Sequence, residues 1–200
     1  FLFVGRFAPE KNLPRLVEAY ASYRQAAGTD AWGLVLVGGG PQEALLRQQA
    51  QGIPGVVFAG SHRSDELGLY YGLASCLILP SVSETWGLVV NEAMAAGLPV
   101  IVSHRCGCVA ELVRPGFNGY VIDPLDVDGM ARTMAVMSST LVDCASMGDA
   151  SRQIVALYTP ETWANSLADC IERTAAGRRE PALKPATGMT KSFQPENQPS

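Results

Sequence analysis

The sequence predicts an α/β fold, a parallel sheet of about six strands with helices on both faces. Short apolar runs alternate with helical patterns, and each run is bounded by Gly, Pro or Ser. Strands that are apolar almost throughout are typical of a parallel sheet that is buried on both faces. With 200 residues, 48% of them hydrophobic, the chain is long enough to form one sizeable core.

The predicted elements follow one another in a regular order. We predict strands at residues 1–4, 34–37, 56–59, 76–79, 99–102 and 119–122. Helices are predicted between them near 13–27, 41–50, 65–74, 87–96 and 108–113, and after the last strand near 126–138, 143–157 and 161–174. From about residue 177 the chain is rich in Pro, Ser and Gln without periodicity, which predicts disorder. We therefore expect a Rossmann-like domain over residues 1–176 and a disordered tail over 177–200.

Composition excludes several classes of function. The net charge of -4 and the pI near 5.2 argue against a general nucleic-acid binder. No apolar run approaches the roughly 18 residues of a membrane span. Five cysteines without a CxxC pair favour a reducing, cytoplasmic setting. Because the chain opens on an apolar run without an initiator Met, we expect it to be part of a longer protein.

Two cations follow the first predicted strand. Arg6 lies two positions after it, and Lys11 lies where the next helix is about to begin. Cations near a helix N-terminus are disfavoured by the helix dipole, so a bound anion such as a diphosphate would explain the pair. The alternative is that Lys11 forms a surface ion pair with Glu10, which would contribute little to stability.

Two glutamates mark the segment after the fourth predicted strand. Glu84 lies in the loop, and Glu92 lies about one turn into an otherwise apolar helix that Gly87 precedes. The free N–H groups at a helix start bind anions, and a desolvated carboxylate is costly unless hydroxyl groups hydrogen bond to it. We therefore interpret the segment as a ligand site. The alternative is that Asn91 and Glu92 form the one wet stripe of a half-exposed helix.

Other polar features have structural interpretations. The Gly38-Gly39-Gly40 cluster fits neither phosphate-loop pattern, and a strand-to-helix turn explains it as well as a ligand loop does. Asp126 and Asp128 have the spacing of a metal-binding pair, but a helix N-cap is the better explanation, so no metal is predicted. Both histidines lie in loop-like sequence, and no Ser/His/Asp or Cys/His nucleophile set is visible.

These residues occur together, and in this order, in a known family. The chain resembles the C-terminal, donor-binding half of retaining glycosyltransferases of family 4, which have the two-domain GT-B fold. The resemblance extends from Phe1 to about Thr174. The matching pieces are Phe3-Val4-Gly5-Arg6 with Lys11, Leu34 to Pro41, Val57-Phe58-Ala59-Gly60, Leu79-Pro80-Ser81, Glu84, Glu92 to Val100, Asn118-Gly119 and Asp123-Pro124.

The resemblance implies a role for each matching residue. It implies that Arg6 and Lys11 contact the diphosphate of a nucleotide sugar, that Glu84 lies by the transferred sugar, and that Glu92 binds the ribose hydroxyls. It further implies that residues 58–60 help to frame the base and that no metal or other cofactor is needed. The implied catalytic residues are therefore Glu84, Arg6 and Lys11, and the implied donor-binding residues are Arg6, Lys11, Phe58, Glu84, Trp86, Gly87, Leu88 and Glu92.

The chain departs from the family in two ways. A loop that is commonly glycine-rich in the family is here Cys106-Gly107-Cys108, so the resemblance does not indicate which sugar is transferred. The acceptor-binding N-terminal domain is absent from this sequence. We expect that domain to bind a sugar or lipid-linked acceptor and to decide any peripheral contact with a membrane. Two alternatives stay open, a nucleotide-sugar-binding module without catalysis and a sugar-nucleotide epimerase of related architecture.

Overall fold

A computed structural model describes residues 1–175 and confirms the predicted sheet. Six parallel strands lie in the order β3-β2-β1-β4-β5-β6. Pairing is in register along each ladder except for an irregularity between Leu36 and Val37 of β2, opposite β3. The strands are β1 (Leu2–Val4), β2 (Leu34–Val37), β3 (Val56–Gly60), β4 (Leu77–Leu79), β5 (Val100–Ser103) and β6 (Gly119–Ile122).

The helices lie where the sequence predicts them, with ends that differ by two residues or fewer. Short 3-10 turns at Pro9–Lys11 and Gly28–Asp30 precede and follow the first helix. The helices are α1 (Leu13–Ala27), α2 (Glu43–Gln49), α3 (Leu67–Leu73), α4 (Leu88–Ala95), α5 (Val109–Leu112), α6 (Val127–Met137), α7 (Cys144–Val155) and α8 (Pro160–Ala175).

The core lies on both faces of the sheet. Every residue of β1, β4 and β5 is buried, as expected for apolar strands with helices above and below. Helices α1, α2 and α6 pack together, and α4, α5 and α7 form a second group. Strand order reverses direction between β1 and β4, and right-handed crossovers then place α1 and α4 on opposite faces.

The chain divides into two compact units, Phe1–Tyr158 and the segment that begins at Thr159. The first unit contains the sheet and helices α1 to α7. Within the second, α8 is amphipathic, with no buried residue. In the described part of the chain, no helix is long and apolar enough to cross a membrane. The predicted tail over 177–200 lies outside the described residues.

Candidate functional site

The site begins at the point where strand order changes direction. Strand β1 pairs with β2 on one side and with β4 on the other. The chain crosses from β1 to β2 and from β4 to β5, so the loops after β1 and β4 leave the same edge of the sheet in opposite directions. Ligands of open parallel sheets bind in such a crevice, outside the carboxyl ends of the strands. The backbone joins the two loops directly, because the Val82 amide donates to the Glu10 carbonyl at 2.9 Å.

An ion pair between Lys11 and Glu84 spans these two loops. The Lys11 ammonium contacts Glu84 Oε2, although the residues are 73 positions apart. Their side chains are only 19% and 17% exposed, so solvent screens the pair less than a surface pair. The structure therefore contradicts the alternative in which Lys11 forms a surface pair with Glu10. Two predicted site residues from different loops are in contact.

Asn12 fixes the position of Lys11, and our sequence analysis missed it. Asn12 is 3% exposed. Its Nδ2 donates to the carbonyls of Pro80, at 3.1 Å, and Pro124, at 2.7 Å. The backbone of Asn12 is left-handed, with φ of 59°, a conformation that asparagine tolerates better than most residues. The sequence signal that could have identified Asn12 was an asparagine directly before a predicted helix and next to the candidate ligand-binding residue Lys11.

The start of α4 presents backbone N–H groups at the same edge of the sheet. Gly87 is the N-cap, and its φ of +100° strongly favours glycine. Among residues 1–175 no side chain caps this helix start, and Leu88, its first residue, is 67% exposed. An ideal Cβ built on Gly87 would lie 3.4 Å from Glu84 Cγ, so the ion pair and the helix start are neighbours. This arrangement can accept an anion.

The segment 84–86 is held in place by the loop 106–108. The Gly107 amide donates to the Glu84 carbonyl at 3.0 Å, and the Cys108 amide donates to the Trp86 carbonyl at 3.3 Å. Gly107 permits this close approach, because a Cβ there would lie 2.0 Å from the Thr85 carbonyl oxygen. The central glycine of the unusual Cys-Gly-Cys loop is thus required by packing.

The two cysteines of that loop are buried thiols. Burial raises the pKa of Cys106 to about 12 and that of Cys108 to about 11. Since the thiolate is the reactive form, neither cysteine is activated as a nucleophile. All five cysteines of the chain are free.

Glu92 is exposed, so the expected desolvated carboxylate is not what the structure shows. The reason is that the face of α4 around Leu88 and Glu92 is open, while Val90, Ala93 and Met94 provide its buried face. Glu92 nevertheless has a partner, since the hydroxyl of Tyr71 donates to its Oε2 at 2.6 Å. Its neighbour Asn91 accepts a 2.8 Å hydrogen bond from the Trp86 indole. Tyr71 is the second residue that our sequence analysis missed.

Arg6 and Phe58 are less closely connected to the ion pair. Arg6 follows β1 and is exposed, and within residues 1–175 its side chain has no hydrogen bond or ion pair. Phe58 lies on the edge strand β3. Its ring packs 6.3 Å from that of Phe7, and the Arg47 guanidinium covers it at 4.6 Å. Its side chain therefore takes part in packing beside α2.

The remaining polar features have structural partners. Asp126 is the N-cap of α6, as predicted, and accepts from the Gly129 amide at 2.8 Å. The triple-glycine loop pairs with the backbone after β1, where the Phe7 amide donates to the Gly39 carbonyl at 2.8 Å. Hydrogen bonds tie both histidines to backbone carbonyls, His62 to Ala59 at 3.0 Å and His104 to Ile122 at 3.2 Å.

Comparison with known proteins identifies the family. A family model described as "Glycosyl transferases group 1" matches residues 1–139. The chain belongs to this family. A GDP-mannose-dependent alpha-(1-6)-phosphatidylinositol monomannoside mannosyltransferase of Mycobacterium tuberculosis is 33% identical over 186 residues, covering 88% of this chain and 48% of that protein. A sulfoquinovosyl transferase of Arabidopsis thaliana is 30% identical over 160 residues, covering 78% of this chain and 30% of that protein.

Solved structures of glycosyltransferases have the same fold. Sucrose-phosphate synthase from Thermosynechococcus elongatus is similar with a TM-score of 0.73 and 29% identity, over 88% of this chain and 45% of that one. Anabaena HepE, solved in complex with UDP, has a TM-score of 0.73 at 22% identity, over 86% of this chain and 48% of that one. The fold is that of the GT-B glycosyltransferases. The matched part of this group 1 chain covers less than half of the length of these two curated relatives, 30% of one and 48% of the other.

Proposed function

We propose that this group 1 chain is the donor-binding half of a retaining glycosyltransferase of family 4. It would transfer a sugar from a nucleotide donor to an acceptor, with retained anomeric configuration. The proposal rests mainly on the partly buried ion pair between Lys11 and Glu84, which lies beside the start of α4. A cation, a carboxylate and free N–H groups meet at the crevice where open parallel sheets bind ligands.

Transfer in this proposal depends on electrostatics. As the glycosidic bond breaks, negative charge grows on the departing diphosphate, and donors already aimed at that charge lower the barrier. Lys11 and the N–H groups at the start of α4 would stabilise this charge from one side. Arg6, exposed after β1, is free to approach from the other. We propose that these groups make a metal ion unnecessary.

The two glutamates would contact different parts of the donor. Glu84 lies beside the start of α4, where a sugar attached to the diphosphate would sit, and Lys11 holds its carboxylate in place. Glu92, one turn along the helix, would accept hydrogen bonds from the ribose hydroxyls. The amides of Trp86, Gly87 and Leu88 would contact sugar and phosphate, and the region of Phe58 would lie near the base.

The comparisons support this choice over the alternatives. The curated relatives described above are glycosyltransferases by name, and they favour neither a binding module without catalysis nor a sugar-nucleotide epimerase. UDP in HepE and GDP-mannose in the mycobacterial name indicate which nucleotides to test first. The acceptor, a sugar or a lipid-linked sugar, would bind to an N-terminal domain outside this sequence. That domain would also decide whether the whole enzyme, proposed to be cytoplasmic, touches a membrane.

A donor titration tests the proposal. UDP, GDP and their sugar conjugates are titrated against the 200-residue chain and the variants Arg6→Ala, Lys11→Ala and Glu92→Ala. Each variant should bind the preferred nucleotide roughly tenfold more weakly, which corresponds to about 1.4 kcal/mol. Arg152→Ala is the matched control, because it removes a cation that contacts the Ala96 carbonyl, at the other end of α4. Unchanged affinity in all three site variants would contradict the proposal.

A further inference from the structure

We propose that Tyr71 is a positioning residue that holds the Glu92 carboxylate ready for the ribose of a bound nucleotide. This inference rests on the proposed function, because it assumes that Glu92 contacts ribose. Tyr71 itself need not touch the ligand. It would act through the single hydrogen bond that joins α3 to α4.

The geometry fits this role. The Tyr71 hydroxyl donates to Glu92 Oε2 at 2.6 Å, the length of a hydrogen bond strengthened by the charge of the acceptor. Tyr71 is only 5% exposed, so the packed core fixes its ring. Glu92, by contrast, is exposed on α4. A rigid donor from the interior therefore restrains a flexible acceptor at the surface.

The hydrogen bond leaves Glu92 with the acceptors that a ribose needs. An ionised carboxylate has two oxygens and about four acceptor positions, and Tyr71 occupies one of them. In the described part of the chain, no other donor contacts this carboxylate. Two neighbouring hydroxyls of a ribose could donate to the positions that remain. With one oxygen fixed in advance, less side-chain freedom is lost when the nucleotide binds.

The direction of the hydrogen bond is settled by the protonation of the phenol. Burial, and then the neighbouring Glu92, raises the pKa of Tyr71 well above its ordinary value. The hydroxyl therefore keeps its proton at physiological pH and acts as the donor. Glu92 remains an acceptor for the ligand.

The adjacent tyrosine provides a matched control. The Tyr70 hydroxyl also forms a 2.6 Å hydrogen bond, but with His62 Nε2. Tyr70→Phe and Tyr71→Phe thus remove the same atom from neighbouring positions of α3. Only the second change frees Glu92.

The experiment compares ribose with dideoxyribose. UDP, GDP and their 2′,3′-dideoxy counterparts are titrated against the wild-type chain, Tyr71→Phe, Tyr70→Phe, Glu92→Ala and the double variant Tyr71→Phe/Glu92→Ala. We expect Tyr71→Phe to weaken binding of the ribonucleotide about fivefold to tenfold and to leave the dideoxynucleotide unchanged. Tyr70→Phe should change neither. In the Glu92→Ala background, Tyr71→Phe should have no further effect.

The outcomes separate this inference from the proposed function. The inference is wrong if Tyr71→Phe weakens binding of the ribonucleotide and of the dideoxynucleotide equally. It is also wrong if Tyr71→Phe weakens binding just as much in the Glu92→Ala background, because Tyr71 then has only a structural role. If the wild-type chain prefers ribose and Tyr71→Phe retains that preference in full, the inference alone is overturned. If the wild-type chain binds no nucleotide, the proposed function is overturned together with it.

Discussion

The two glutamates of the site lie eight positions apart and are held in very different ways. Glu84 is surrounded: Lys11 pairs with its carboxylate, and the Gly107 amide donates to its carbonyl at 3.0 Å. Glu92 is exposed and is held by one hydroxyl, that of Tyr71. The contrast suits the proposed roles, because a group beside the reacting sugar must be fixed, whereas a group that grips ribose needs only to be oriented.

The largest expected effect comes from Gly107→Ala, which disturbs the loop that holds the backbone of Glu84 in place. The added Cβ would lie 2.0 Å from the Thr85 carbonyl oxygen, so backbone must move. We expect a loss of about 3 kcal/mol in unfolding free energy, measured in urea, and a loss of nucleotide binding. The control is Gly68→Ala on α3, where a Cβ meets nothing within 4 Å and should be neutral or slightly stabilising. Equal stability of the two variants would show that the loop does not hold Glu84.

Substitution of Asn12 should cause the next largest loss of unfolding free energy. Asn12→Ala loses hydrogen bonds to the Pro80 and Pro124 carbonyls and places a less tolerant residue at a φ of 59°. We expect a loss of roughly 2 kcal/mol in urea unfolding. Asn12→Gly keeps the backbone conformation and should lose less. If both variants cost the same, the backbone conformation contributes nothing and the hydrogen bonds account for the whole effect.

Breaking the ion pair tests whether Glu84 depends on its partner. Lys11→Met leaves a partly buried carboxylate unpaired and should cost about 1–3 kcal/mol of unfolding free energy. Arg132→Met breaks a pair with Asp126 whose side chains are 70% and 51% exposed, and it should cost at most about 1 kcal/mol. Similar losses in the two variants would mean that burial does not strengthen the Lys11–Glu84 pair.

The smallest effect is expected at Glu92. Glu92→Gln should change unfolding free energy by less than about 0.5 kcal/mol, because the side chain is exposed and an amide oxygen can still accept from Tyr71. Its effect should be on nucleotide affinity, measured by calorimetric titration. A clear loss of stability would show that Glu92 supports the fold, and the contrast with Glu84 would fail.

The fold was predictable because local pattern and global arrangement agree. Apolar runs such as residues 34–37 and 119–122 favoured strands, and the helices between them favoured parallel pairing. The sequence singled out Lys11, Glu84 and Glu92 as candidates, but it did not indicate the partners that the structure gives them. Lys11 pairs with a residue 73 positions away, and Glu92 with one 21 positions away on another helix. Neither spacing leaves a periodic signal in the sequence.

The residues that our sequence analysis missed share one property. Asn12 and Tyr71 are buried polar groups whose partners come from distant elements, so each looks in sequence like an ordinary helix boundary or core aromatic. Phe58, in contrast, was named as a donor-binding residue from the resemblance. In the structure its ring packs against Phe7 and Arg47.

The proposed function requires that one diphosphate lies between Arg6, Lys11 and the start of α4. A crystal structure of the 200-residue chain soaked with UDP or GDP would show where the diphosphate binds. Phosphate oxygens should lie within hydrogen-bonding distance of both cationic side chains and of a backbone amide near Leu88, with the ribose at Glu92. A diphosphate bound at another edge of the sheet, with Arg6 and Lys11 untouched, would contradict the proposed function.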